Sequence, residues 1–308
     1  MLKAKNLIGV IVVLVALFSG YLVGRIYVDS IQPAAVVNAT EADLREKSEK
    51  VQELCKKADG GASVSSFSAV ELYLIAERKL NTADSFYKQT LGTIKQTAGV
   101  LNQQTEKLKR DGKFVFNKYS PGKVIFGIDT EVCSRTIYDY STKLTKVNTE
   151  GTFTNRETMG QYTATFNDAD WIEYSEAEYF EKFATASTTP NPYIISSTTC
   201  AGADVSAVSR TAEGDYTFTI KLSGDMLTLS ALYYSKEIAF SGGMGEPKWV
   251  SLEMTVVIGS DFNFKTIGYV EEYKVKAPVV GWTPVVDRFT DTYNFDLATM
   301  PTIEEVCA

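Results

Sequence analysis

An unbroken apolar run near the start constrains this chain more than any other feature. From Leu7 to Gly24 it reads LIGVIVVLVALFSGYLVG, 18 residues without a charge. Ile26, Tyr27 and Val28 extend the run if Arg25 lifts its guanidinium to the interface. A helix of that length spans the hydrocarbon core of a bilayer. Lys3 and Lys5 precede the run and no acid occurs before Asp29. The positive-inside bias then leaves residues 1–5 as a cytoplasmic tail, residues 6–28 as the transmembrane anchor and the rest outside. A cleaved signal peptide has a shorter apolar stretch ending in a small-x-small site, which Phe18-Ser19-Gly20 fits poorly. The expected location is the cell membrane, single-pass, with an extracytoplasmic C-terminal domain. Gly20 and Gly24 have the spacing of a helix-packing pair, which in an apolar run is more often incidental.

Charge and composition exclude several function classes. From residue 29 onward the chain carries 28 basic and 38 acidic residues, a balance of −10. Such a domain repels phosphate backbones, and no Lys/Arg cluster with interleaved aromatics offsets that, so nucleic acid is not an expected partner. Histidine is absent from the sequence, which removes the commonest general base and the commonest zinc ligand. No catalytic residue and no cofactor is assigned; a carboxylate-based hydrolase ranks last among the readings. Cys55, Cys133, Cys200 and Cys307 show no metal-ligand spacing, so no metal is expected there. Four cysteines allow three pairings; Cys133 with Cys200 is the favoured bridge, and buried free thiols are the alternative.

Residues 29–62 read as a linker and stalk. Thr40-Glu41-Ala42-Asp43 resembles a capping box, followed by Leu44, Val51 and Leu54 among many charges, which predicts one helix to about Lys57. Gly60-Gly61 ends it, and a second helix starts near Ser66 with Phe67, Val70, Leu74 and Ile75 on one face. Residues 63–300 are expected to form the folded domain, with 301–308 as a tail. Within it, KFVFNKY (113–119), KVIFGI (123–128) and YTATF (162–166) read as strands, with Asp111-Gly112 and Pro121-Gly122 as turns. Ser175-Glu176-Ala177-Glu178 predicts a third helix to about Ala186, stapled by Tyr174 and Tyr179. Residues 187–212, rich in Ser, Thr and Ala, leave room for another short helix.

The clearest strands follow. Tyr216, Phe218, Ile220 and Leu222 alternate with polar residues, as do Val250, Leu252, Met254, Val256 and Ile258. Ser260-Asp261-Phe262-Asn263 then turns the chain into Ile267, Tyr269, Glu271, Tyr273 and Val275. A last strand from about Asp287 to Asp296 places Phe289, Tyr293 and Phe295 on one side. Short polar turns between strands imply an antiparallel sheet with helices packed on one face, an α+β fold.

Most chemical motifs reduce to ordinary structure. Gly243-Met244-Gly245 lacks the rest of a phosphate loop. Ser85 to Lys88 and Ser120 to Lys123 have the S-x-x-K spacing of serine acyl-enzymes without the companion motifs. Asn167, Asp168, Asp170 and Glu173 gather oxygens that calcium accepts, but no EF-hand glycine or terminal glutamate accompanies them, and a solvated turn is the default. Glu271 and Glu272 lie on opposite faces of a strand and are no catalytic pair. Glu271 alone interrupts an apolar face, as a strand edge or as the partner of a nearby cation.

The stretches FSAVELYLIAERKL, RDGKFVFNKY, GDYTFTIKLS, WVSLEMTVVI and FKTIGYVEEYKV occur in an order that resembles the LolA/RseB-type lipoprotein-binding superfamily. The resemblance covers about Ser66 to Asp296 and implies a curved half-barrel sheet wrapped on helices, with acyl chains or lipidated peptides held in the concavity. The arginine associated with the lipid carrier's cavity has no matching position here.

The leading expectation is a membrane-anchored binding protein that accepts an acyl chain or lipoprotein segment on a curved sheet. Tyr216, Phe218, Val250, Leu252, Met254, Ile267, Tyr269 and Tyr273 are the ligand-facing candidates and are expected to share one face of one sheet. The alternative is a structural or protein-interaction ectodomain with an envelope protein as partner.

Overall fold

The computed structural model of the chain describes residues 40–307 apart from 98, 125–127, 184–185, 243–245 and 278–280. The expected anchor and the linker at 29–39 lie outside the described residues, as does Gly243-Met244-Gly245. Among the described residues no helix is long and apolar enough to cross a membrane.

The helix expected from Thr40 to about Lys57 is two helices. Thr40 and Asp43 do form a capping box on α1 (Glu41–Leu44), but Arg45 leaves it in extended conformation, and α2 (Ser48–Asp59) starts afresh. The break lets Leu44 reach the interior at 2 % exposure, and Leu54 and Ala58 join the main core. The segment read as a stalk is therefore packed on the domain. Ser68 and Glu71 cap α3 (Ala69–Thr82) reciprocally, and Leu72, Tyr73, Leu74, Ile75, Ala76 and Leu80 are buried along it. This helix is the centre of the main core.

Four long strands follow: β1 (Phe86–Gln96), β2 (Gly99–Arg110), β3 (Lys113–Val124) and β4 (Ile128–Asp139). Asp111 and Gly112 both take positive φ, 51° and 71°, the conformation that a two-residue hairpin turn demands. Pro121-Gly122, expected as a second turn, instead lies inside β3, paired with Glu131 and Thr130 of β4. Proline lacks an N–H, and on the other side the β2–β3 pairs stop at Gln104 with Tyr119 and resume at Leu101 with Gly122. A strand interior accommodates the pair by that local lapse.

Next come β5 (Leu144–Asn148), the small hairpin of β6 (Thr152–Asn155) and β7 (Thr163–Thr165), and β8 (Ile172–Ser175). Ser175 and Glu178 cap α4 (Glu176–Phe183) as expected, and Tyr174 lies 6.4 Å from Tyr179. Residues 187–203 form turns with no helix. The remaining elements are β9 (Asp204–Val205), β10 (Ser209–Arg210), β11 (Tyr216–Ser223), α5 (Gly224–Ser230), α6 (Leu232–Gly242), β12 (Lys248–Ile258), β13 (Phe264–Ala277), β14 (Gly281–Asn294) and α7 (Ile303–Cys307).

Among the described residues twelve strands make one antiparallel sheet, in the order β10-β11-β12-β13-β14-β1-β2-β3-β4-β5-β8, with β9 also on β11. The long last strand β14 lies beside β1, so β1–β5 and β11–β14 form one surface. Its inner face carries the main core against α3. At Gly92 of β1 a Cβ would come within 2.4 Å of the Phe289 ring on β14, so only glycine lets that aromatic lie across the sheet.

Helices do not all lie on one face. Phe114 points into the main core while its neighbour Val115 joins Leu108, Met300 and Val306 on the other side. There α7 is held by carbonyl contacts: Arg135 donates to Val306 O and Cys307 O, Asn117 to Val306 O, and Arg110 to Met300 O and Pro301 O. The predicted tail is a docked element. The favoured disulfide is also absent: all four cysteines are free. Cys133 sits in the outer cluster of Tyr119 and Tyr162, whereas Cys200 packs against the inner core. The sheet separates them.

Candidate functional site

Two places on the inner side of the sheet are candidates for a site: a buried acid and tyrosine cluster at its centre, and an open cleft at its β9–β11 edge.

The cluster follows from alternation. Tyr269, Glu271 and Tyr273 of β13 face inward, as do Asp287, Phe289, Asp291 and Tyr293 of β14. Register places Glu271 beside Asp287, and Asp291 and Tyr293 beside Thr90 and Lys88 of β1. Directly opposed residues bring their Cβ atoms to roughly 5 Å, so two carboxyls are driven together. Glu271, read from sequence as a strand-edge residue or a cation's partner, is on a central strand and its neighbour is another acid.

The carboxyl in one half of the cluster is well satisfied. Lys88 Nζ lies 2.6 Å from Asp291 Oδ2, with side chains 4 % and 2 % exposed. Thr90 donates to Asp291 at 2.6 Å and Tyr293 donates to Asn191 Oδ1 at 2.9 Å. Lys88 also donates to Pro190 O and Asn191 Oδ1, at 3.1 and 3.2 Å. The lysine of the rejected S-x-x-K motif is thus a buried tie between the sheet and residues 190–191.

The other half is not. Asp287 accepts from the Tyr273 hydroxyl at 2.8 Å. Among the described residues six buried side-chain polar atoms lack a hydrogen-bond partner of good geometry. Three of the six belong to this half, Tyr193 Oη, Glu271 Oε2 and Asp287 Oδ1, and two, Asn191 Nδ2 and Tyr269 Oη, to the Asp291 side. Burial pushes the Asp287 carboxyl up to about 7, against the lowering effect of the Tyr273 hydroxyl. Burial and then the adjacent Asp287 charge hold Glu271 well above the usual carboxylate range, with Tyr193 opposing. Desolvation and a like charge both favour the neutral form. The Tyr193 ring roofs the pair, 6.0 Å from Trp249 and 6.1 Å from Tyr269.

The cleft is different in kind. About 620 Å³ opens between the start of α3 and the edge strands, lined by Phe67, Val70, Val205, Val208, Arg210 and Tyr216. Phe67, Val70, Val205, Val208 and Tyr216 all pack against the main core. Arg210 stands over the Tyr216 ring at 5.9 Å and donates to Gly214 O.

Of the eight ligand-facing candidates, Phe218, Leu252, Met254, Ile267, Tyr269 and Tyr273 share the buried inner face. Tyr216 is partly buried and lines the cleft. Val250 points outward at 45 % exposure. A bulge between Trp249 and Ser251 inserts Val250 as the extra residue, and Trp249 takes the inward place. Sequence reasoning missed Lys88, Asn191, Tyr193, Asp287 and Asp291. The signal was present for two of them, since Asp287 and Asp291 share the parity of Phe289 and Tyr293.

At the calcium candidate, Asn167 Oδ1 accepts from Ala169 N and Lys146 lies 3.8 Å from Glu173. Among the described residues no group of His, Cys, Asp or Glu is arranged to hold a metal ion.

No protein family matches the chain, and no curated protein is similar to it. A crystal structure of a DUF1329 family protein from Desulfovibrio piger is similar over 80 % of this chain and 90 % of that chain, at 8 % identity and a TM-score of 0.23. That degree of likeness assigns neither a fold family nor a role.

Proposed function

We propose that this chain is a binding protein, anchored by residues 6–28 and displayed outside the cytoplasm, whose sheet curves as a LolA-like half-barrel around α3 and accepts an apolar ligand. The ligand class is an acyl chain or a lipoprotein segment. The observation that supports this is the cleft at the β9–β11 edge: Phe67, Val70, Val205, Val208 and Tyr216 form an apolar stretch continuous with the core, interleaved with Ser65, Ser68, Ser206 and Ser209. Concave, mostly apolar sites with few polar groups are what small apolar ligands select. Arg210 at its rim suits an acidic headgroup. The six buried candidates on β11–β13 then support the cleft as packing and do not touch the ligand. Glu271 and Asp287 are adjacent carboxyls, but at 2 % and 1 % exposure a substrate cannot reach them in this conformation.

Photo-crosslinking tests the proposal. A fatty acid carrying a diazirine is incubated with the full-length chain in native membranes, and adducts are mapped by peptide mass spectrometry. Adducts on residues 65–70 and 205–216, lost in Val208→Glu, are expected. Adducts confined to residues 1–39, or none at all, contradict it.

A further inference from the structure

We infer that Glu271 and Asp287 are a proton-operated latch: while the pair keeps its protons, residues 189–196 stay closed over the centre of the sheet, and loss of those protons releases them. This goes beyond ligand binding in the cleft, which it neither requires nor predicts.

Geometry carries the inference. The two carboxyls are in register on neighbouring central strands, at 2 % and 1 % exposure. Each keeps one oxygen without a hydrogen-bond partner of good geometry, and the neighbouring Tyr193 hydroxyl, which favours the charged form of Glu271, also makes no well-formed hydrogen bond. A buried carboxylate left so is strongly unfavourable, whereas a carboxylic acid both donates and accepts. Protons on the pair supply donors to the orphaned oxygens; removing them leaves two like charges side by side.

The charged and titratable surroundings do not neutralise that charge. From β1 comes Lys88, already 2.6 Å from Asp291 of β14. β13 and β14 otherwise offer Tyr269, Tyr273 and Tyr293, and the covering segment offers Tyr193. Tyr234 on α6 lies 5.5 Å from Tyr193. α3 brings Tyr73, and beyond it Glu77, a second carboxyl that burial lifts to about 7. With all of Glu271, Asp287 and Asp291 ionised, Lys88 leaves two negative charges in excess.

What the latch would release is defined by its bonds. Residues 189–191 are tied to the sheet through Lys107 to Thr189 O at 2.6 Å, Lys88 to Pro190 O and Tyr293 to Asn191. Ile194 is tied to Ser230 in both directions, at 2.8 and 2.9 Å. Between these ties Tyr193 sits on the pair and packs against Trp249, which also meets Tyr234 and Tyr273 and donates to Ser235 Oγ. Opening there uncovers an aromatic-lined patch on the inner face and not the cleft.

Trp249 is the reporter. In a full-length chain carrying Trp171→Phe and Trp282→Phe, acrylamide quenching of Trp249 is followed from about pH 5.5 to about pH 9, a window that brackets the Asp287 carboxyl at about 7 and stays below ordinary tyrosine ionisation. Quenching is expected to rise several-fold across this window, and to stay low throughout in Glu271→Gln/Asp287→Asn, which leaves Glu77 intact. A flat profile in the parent chain contradicts the latch without any further variant. An equal rise in the double variant assigns the transition to Glu77 and also overturns it. Restoration of low quenching at high pH by millimolar calcium would make the pair a cation site and not a proton latch.

Discussion

The two halves of the inner face are built alike and filled differently. On β11 and β12, Phe218, Ile220, Leu222, Leu252, Met254, Val256 and Ile258 are buried and wholly apolar. On β13, β14 and β1, the same alternation puts Glu271, Asp287, Asp291 and Lys88 inside among tyrosines, equally buried. The first half gains by removing apolar surface from water. The second sets a desolvation penalty against one good ion pair and leaves a second carboxyl pair with orphaned oxygens. A strand's alternation therefore decides which side chains are buried, and their chemistry decides whether burial stabilises the fold or stores a response.

The contrast can be broken most severely at the ion pair. Lys88→Met leaves Asp291 buried and without its cation, and is expected to cost about 3–5 kcal/mol in urea unfolding. Adding Asp291→Asn should recover part of that loss. In the apolar half, Leu252→Ala is expected to cost about 2–4 kcal/mol by the same measurement, independent of pH. Asp287→Asn should act in the opposite direction. With a folded carboxyl at about 7 and an unfolded one near about 3.9, the folded chain holds a proton between those values that the unfolded chain has released. Stability from this group is complete below about pH 4 and is lost as pH rises through about 7. The variant is expected to gain roughly 1–3 kcal/mol over wild type at about pH 8 and nothing near about pH 4. The smallest effect sharpens the comparison from outside the core. Lys221 and Glu253 lie 3.1 Å apart on the outer face, 47 % and 46 % exposed, and Lys221→Ala should change stability by less than about 1 kcal/mol.

Legibility in the sequence followed the same division. β11, β12 and β13 could be read because one face is apolar and the other polar over five or more residues. β1, β2 and β4 passed unread: QTLGTIKQ and NQQTEKLK are polar on both faces, since much of each strand is only partly covered. Val250 was misplaced because a bulge shifts parity without a mark in the sequence. The helix break at Arg45 was hidden for a related reason, as the reward for it is the burial of Leu44 by distant residues. The acid pair depends on the β13–β14 register, which a turn sets and composition does not. Asp287 and Asp291 were within reach through their shared parity with Phe289 and Tyr293, but an aspartate on an apolar face is set aside as a strand end when its partner is unknown.

Carboxyl-carbon NMR of the full-length chain, titrated and assigned with Glu271→Gln and Asp287→Asn, asks most directly whether the polar half of the inner face carries protons at neutral pH. Asp287 titrating at about 7, with Glu271 still protonated above the ordinary carboxylate range, is the predicted result. Both groups titrating near about 4 would contradict it, since the pair would then be hydrated, ionised and free of the strain that the structure places there.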